Sequence, residues 1–142
     1  MEVRIVRHCH ASIMVPLLAL LLMGCHREVV HAPAAIVDRI ELRTPLPEAL
    51  LSSPLTVEGK ARGPWFFEAS FPVYLLDAKG DTIAATPAHA IGEWMTTEFV
   101  PFKATLSFSL PASKTGTLIL SKDNPSGLPE HAAELRVPVR FQ

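Results

Sequence analysis

Cysteine is almost absent from this chain of 142 residues: there are two, Cys9 and Cys25, both near the start. A fold stapled by disulfides is therefore excluded, and the body of the chain has to stand on packing alone. An excess of one charge sign is missing as well. Thirteen Lys and Arg against fourteen Asp and Glu leave a formal net charge of −1, which offers no electrostatic footprint for nucleic acid. No apolar run reaches the roughly 20 residues of a membrane-spanning helix. The longest, Val15–Met23, is about half that length and is interrupted by Pro16. What the chain does have is an apolar content of 49%, too high for a disordered polymer. It also has 13 prolines in 142 residues, about 9% against an average near 5%. So many prolines suit short strands joined by turns better than long helices.

Arg4 and Arg7 precede the apolar run, and Gly24-Cys25 follows it. A positive flank, a short apolar segment and a small residue at the cut describe an export signal. Leu22-Met23-Gly24-Cys25 resembles the bacterial lipobox. That resemblance implies diacylglycerol on the Cys25 thiol, cleavage after Gly24, and a mature chain that begins at an acylated Cys25. Two or three acyl chains, at about 0.8 kcal/mol per buried methylene, hold far more firmly than one. His8-Cys9-His10 has the look of a metal site but falls in the segment to be removed. His26 in place of Asp after the lipidated residue resembles lipoproteins destined for an outer membrane, where the cell has one. The expected organisation is a signal peptide over 1–24, a lipidated N-terminus and tether over 25–35, and a single domain over 36–142.

Within that domain the dominant pattern is period two, broken at turn residues. Strands are expected at Ile36–Leu42, Leu55–Gly59, Ala69–Asp77, Thr82–Ala90, Phe102–Phe108, Gly116–Ser121 and Leu135–Phe141. Ala78-Lys79-Gly80-Asp81 reads as a hairpin turn with Gly80 at positive φ. Pro138 marks an edge, or a nitrogen turned away from the ladder. Leu46–Ser53 and Pro125–Glu134 each have room for one helical turn. About seven short strands in roughly 105 residues fit an all-β, immunoglobulin-like antiparallel β-sandwich. Val57 and either Leu118 or Ile119 are candidates for the layers where such folds often carry a cysteine pair.

An ordered series of motifs then becomes recognisable: Ser53-Pro54-Leu55-Thr56-Val57-Glu58-Gly59, Trp65-Phe66-Phe67-Glu68-Ala69-Ser70-Phe71-Pro72-Val73, Leu76-Asp77-Ala78-Lys79-Gly80, Trp94-Met95, Phe99-Val100-Pro101-Phe102 and Lys122-Asp123-Asn124-Pro125-Ser126-Gly127. The series resembles the immunoglobulin-like domain of bacterial spore germination proteins, the second of the Gmad domains, from about Ile40 to Phe141. The resemblance implies a sandwich with an interaction role in the bacterial envelope and no defined chemistry.

Trp65, Phe67 and Trp94 are the candidate partner-binding residues. Alternate rings of Trp65-Phe66-Phe67 either fill the core or form an apolar patch for a protein or glycan. Asp123-Asn124-Pro125-Ser126-Gly127 carries oxygen ligands of the kind calcium takes, but reads as an ordinary Asx turn. No metal site and no cofactor are expected. Ser126-Gly127 lacks the Gly-x that precedes the serine of a nucleophile elbow. His89 and His131 belong to no ligand motif. The expected function is a non-catalytic binding or scaffolding module, held at the membrane by the lipid on Cys25 and facing an envelope protein or cell-wall polymer. The alternatives are a wall-glycan hydrolase using Glu68, Glu93 or Glu98, and a secreted protein without lipid.

Overall fold

The computed structural model describes residues 38–142. The signal segment 1–24 with Leu22 and Gly24, the lipidation residue Cys25, the tether 25–35 and the expected strand start at Ile36 lie outside the described residues.

Eight strands follow one another: β1 (Ile40–Thr44), β2 (Leu50–Leu51), β3 (Leu55–Arg62), β4 (Ser70–Asp77), β5 (Thr82–Ala90), β6 (Phe99–Leu106), β7 (Thr115–Ser121) and β8 (Glu134–Phe141). They form one curled sheet in the order β1-β3-β6-β5-β4-β7-β8-β2. The curl makes two layers, and β5 links them. Its residues from Thr82 to His89 pair with β4, whereas His89 and Ala90 pair with Lys103 and Phe102 of β6. Phe71 of β4 meets Phe102 of β6 across the interior, ring centroids 4.9 Å apart and edge to face. The immunoglobulin-like all-β expectation therefore stands.

Alternation along each strand decides what is buried. Val57 and Ala61 on β3, Phe102, Ala104 and Leu106 on β6, and Leu135, Val137, Val139 and Phe141 on β8 all enter the core. Thr56, Lys103 and Thr105 lie on the outer face. Leu118 and Val57 are fully buried in the central cluster. Ile119 points the other way, beside its cross-strand partner Tyr74, and stays outside that cluster although it is shielded. Leu118, not Ile119, occupies the layer opposite Val57. Among the described residues no polar or charged residue is buried, so stability rests on apolar burial and ladder hydrogen bonds.

The structure departs from the periodicity in two places. Gly59 does not end β3: it pairs with Leu42 and with Phe102, and a Cβ there would run into the Glu41 carbonyl. A glycine reads as a stop, yet here it lets two strands and a ring close up. Leu46–Ser53 is not a helical turn. Pro47 removes one backbone donor from the segment, and Pro47 and Pro54 disfavour helix in Leu46 and Ser53 before them. Leu51, 2% exposed, is drawn into the core instead. That pulls Leu50 and Leu51 alongside Arg140 and Phe141 in a parallel pair, the exception in an otherwise antiparallel sheet. A strand of two residues has no period to detect, hence eight strands where about seven were expected. Pro125–Glu134 does contain one 3₁₀ turn, at Pro129–His131.

Pro138 lies inside β8 between two neighbours. Its carbonyl accepts the Glu48 N–H at 2.7 Å. In an extended strand the N and C=O of one residue point to the same side, so the proline nitrogen also faces away from β7. The ladder loses nothing.

Candidate functional site

β1, β4, β6 and β8 begin at one end of the sandwich, where β3, β5 and β7 finish. That end carries the connections 63–69, 91–98 and 122–133, and the described chain enters there at Asp38. We call it the entry end.

Connection 63–69 is built by local chemistry. Pro64 supplies a fixed helical φ in the first turn, and the Phe66 N–H returns to the Gly63 carbonyl at 3.0 Å, making one 3₁₀ turn over Gly63–Trp65. The turn breaks the strand alternation, so two consecutive rings point inward. Trp65 is 2% exposed and Phe66 4%. Phe67 then swings out to 44%. It closes a tight turn through Glu68 and Ala69, bonding with Ser70 in both directions at 2.9 and 3.1 Å. Glu68 and Ala69 have φ of 49° and 62°. These left-handed positions are normally held by glycine or asparagine, and cost roughly 1–2 kcal/mol per L-residue.

Trp65 therefore cannot face a partner as part of an exposed patch. It meets Phe71 edge-on at 6.4 Å and forms a core wall. Trp94 is half-buried and packs on the same cluster. Of the three expected patch residues, Phe67 alone is well exposed. Two more exposed apolar side chains at this end lie on the 91–98 connection: Ile91 at 57% and Met95 at 74%. The two connections are tied together. Ala90 N–H donates to the Ala69 carbonyl at 2.8 Å, and Gly63 N–H donates to the Glu98 carbonyl at 3.1 Å. Gly63 lies so close that a Cβ would come within 2.6 Å of the Trp94 carbonyl. Periodicity could not have flagged Ile91 or Met95, because both lie between turn residues, outside any strand.

The carboxylates proposed for hydrolysis are spread over these turns. Glu68, Glu93 and Glu98 are all exposed. Glu93 accepts the Met95 N–H at 3.2 Å, and the Glu98 N–H donates to Thr96 Oγ1, also at 3.2 Å. The Glu93 carboxylate caps its own turn, and Glu98 enters its bond through the main chain rather than the carboxylate.

The 122–133 connection brings together a pair that sequence reading missed. Ser126 Oγ stands 3.1 Å from His131 Nδ1, within the reach of a serine–histidine couple. Counting protons shows what it does. Asn124 Nδ2 donates to the Leu128 carbonyl at 2.8 Å, which fixes Asn124 Oδ1 as an acceptor. The Ser126 hydroxyl donates its proton to that oxygen at 2.6 Å. His131 Nδ1–H and Leu128 N–H, the latter at 3.3 Å, then donate to Ser126 Oγ. The hydroxyl is saturated and the imidazole acts as donor, not base. The pair locks a loop, and Gly127, at φ 66°, completes the turn to Asn124. Nothing in that geometry activates the serine.

The outer face of β1, β3 and β6 carries ion pairs. Glu58 receives Arg43 on one oxygen and Lys103 on the other, and Lys60 pairs with Glu41 at 3.1 Å. The Lys103 hydrogen bond is the main cause holding the Glu58 carboxyl below the usual range, against a smaller opposing desolvation.

Sandwich topology, paired outer face and loop-built entry end can then be set beside known proteins. A family description, the immunoglobulin-like domain of bacterial spore germination, matches residues 39–128. The chain belongs to this family. The spore-germination immunoglobulin-like match begins at Arg39, just before β1, and ends at Leu128, so β8 falls beyond it although a resemblance to Phe141 was expected. No curated protein and no solved structure matches the chain. The family is not a known catalytic one, and membership suggests an extracellular or envelope protein.

Proposed function

We propose that this protein is a non-catalytic binding module of the bacterial envelope, anchored to the membrane through lipid on Cys25 and making its contacts with the loops of the entry end. The observation that carries the reading is the exposure of three apolar side chains, Phe67, Ile91 and Met95, on two connections of one end that are bonded to each other. Solvent-exposed apolar groups held on strained or closely packed backbone are a common mark of a contact surface. The lipobox residues Leu22, Gly24 and Cys25 support the anchor. Twelve residues separate Cys25 from Asp38, which limits the reach to on the order of 40 Å at about 3.3 Å per residue. Anchoring raises the effective concentration of the tips near envelope partners, so weak individual contacts suffice.

Expression in a bacterial host tests the anchor. Mass spectrometry of the mature N-terminus should find an acylated Cys25, and Cys25→Ala should move the protein from the membrane to the soluble fraction. An unmodified Cys25, or membrane retention of the Cys25→Ala variant, would refute it.

A further inference from the structure

One cavity at the entry end, of about 330 Å³, is lined by Arg39, Arg62, Pro64, Trp65 and Lys122. Its volume lies at the small end of the range for ligand sites. Its charge is unlike that of the sheet face. Arg43, Lys60, Lys103 and Arg136 each have a carboxylate partner, but among the described residues no carboxylate lies within 4.0 Å of Arg39, Arg62 or Lys122. Asp38, Glu98 and Asp123 are close along the chain and make no ion pair with them.

Arg62 and Lys122 are held in place by neutral groups instead. Arg62 donates to the Asp38 carbonyl at 2.8 Å and the Thr97 carbonyl at 3.1 Å, and its guanidinium lies 4.5 Å over the Phe99 ring. Lys122 Nζ donates to the carbonyls of His131 at 3.2 Å and Asp123 at 3.4 Å. Carbonyls orient a cation without neutralising it. Both residues are half-buried, where an unpaired positive charge is harder to tolerate than in open water. The backbone beneath them is cross-tied, Arg62 N–H to the Arg39 carbonyl at 2.8 Å and Asp123 N–H to the Trp65 carbonyl at 3.1 Å.

A second observation is independent of charge. Trp65 forms one wall, and its Nε1 is the buried side-chain polar atom without a hydrogen-bond partner among the described residues. A buried indole N–H normally finds an acceptor.

We propose that this cavity binds a phosphate-bearing group, held by Arg39, Arg62 and Lys122, with the Trp65 indole N–H as a further donor. Three cations call for more than the single charge of a carboxylate. A phosphate monoester carries about −1.5 to −2 at pH 7 and three acceptor oxygens, and the planar arginine fork matches them in pairs. The group arrives either as a free phosphate or phosphomonoester, or as the headgroup of a lipid. The lipid source rests on the anchored reading above; the free source does not.

Trp94→Phe leaves Trp65 as the sole tryptophan of the chain. Inorganic phosphate titrated into that full-length protein at constant ionic strength should shift Trp65 emission saturably, with chloride as the control. Arg39→Gln and Lys122→Met should each raise the apparent Kd tenfold or more. Lys79→Gln, at the opposite end, should leave it unchanged. Phosphate should also raise the Tm of the parent and not that of Arg39→Gln, a readout independent of fluorescence. Flotation with phosphatidylcholine vesicles containing phosphatidic acid separates the sources: capture that Arg39→Gln abolishes assigns the lipid headgroup, and free-phosphate binding without capture assigns the soluble one. No saturable response to either probe, or a response that survives both Arg39→Gln and Lys122→Met, overturns the site. Loss of lipid on Cys25 would leave the phosphate titration untouched, so the anchor and this site fail separately.

Discussion

Two groups of cations divide the molecule. On the outer face of β1, β3 and β6, Lys60 and Lys103 lie in register opposite Glu41 and Glu58, Arg43 reaches Glu58 from the bulge in β1, and the charges are matched within the sheet. At the entry end Arg39, Arg62 and Lys122 line a cavity; among the described residues Arg62 and Lys122 donate to carbonyls and none of the three meets a carboxylate. On the paired face each of these cations is neutralised by a carboxylate. The unpaired set keeps its charge available, on a backbone stiff enough to hold it. A net charge of −1 hides this entirely. What matters for binding is where compensation is missing, not the sum.

The sharpest way to break the contrast is to remove the wall of the cavity. Trp65→Ala deletes a ring that is 2% exposed and packed on Phe71. It should cost about 3–5 kcal/mol, a fall in Tm of more than about 10 °C by calorimetry. A change of only a degree or two would mean that the ring is not core. Next is Gly63→Ala, whose Cβ would meet the Trp94 carbonyl at 2.6 Å. Thermal or urea unfolding should show a loss of about 1–3 kcal/mol as the two connections are forced apart.

Arg39→Gln touches an exposed side chain with no ion pair among the described residues. Without phosphate its stability should stay within about 0.5 kcal/mol of the parent. A large loss would show that the cavity cations act as structure. Smallest is Glu58→Gln on the paired face, where both partners are solvent-exposed and screening leaves little net gain. Its sign with pH is definite. Lys103 and Arg43 lower the folded carboxyl below the ordinary value of 4.5. The small advantage of the parent over the variant should therefore be complete above the usual glutamate range. It should fade as pH falls through the lowered folded value, and shrink in high salt. An advantage that grows on acidification would contradict the pairing.

Much of the sandwich could be read from the chain. β5 spans Thr82–Ala90 as expected, and the inward sets of β6 and β8 follow from alternation, because a half-buried strand has to place every second residue in the core. The Asp77 turn was legible for a similar local reason. Its Oδ1 accepts the N–H of Lys79 at 2.8 Å and of Asp81 at 3.0 Å, and Gly80 takes a φ of 90°. The candidate site was only partly visible. Trp65 and Phe67 are two residues apart and would share a face in a strand, yet one 3₁₀ turn sends the first into the core and the second into solvent.

Sequence by itself determined the class of architecture, the positions of most strands and the family, since period-two burial and turn residues act over two to four neighbours. Only the tertiary structure decided that β2 runs parallel beside β8 and that Ser126 and His131 lock a loop. It alone brought Arg39, Arg62 and Lys122 around one tryptophan. The strand pairing and the cation set join residues far apart in the chain, which become neighbours only when the sheet curls; Ser126 and His131 are five residues apart and meet because one connection folds back on itself.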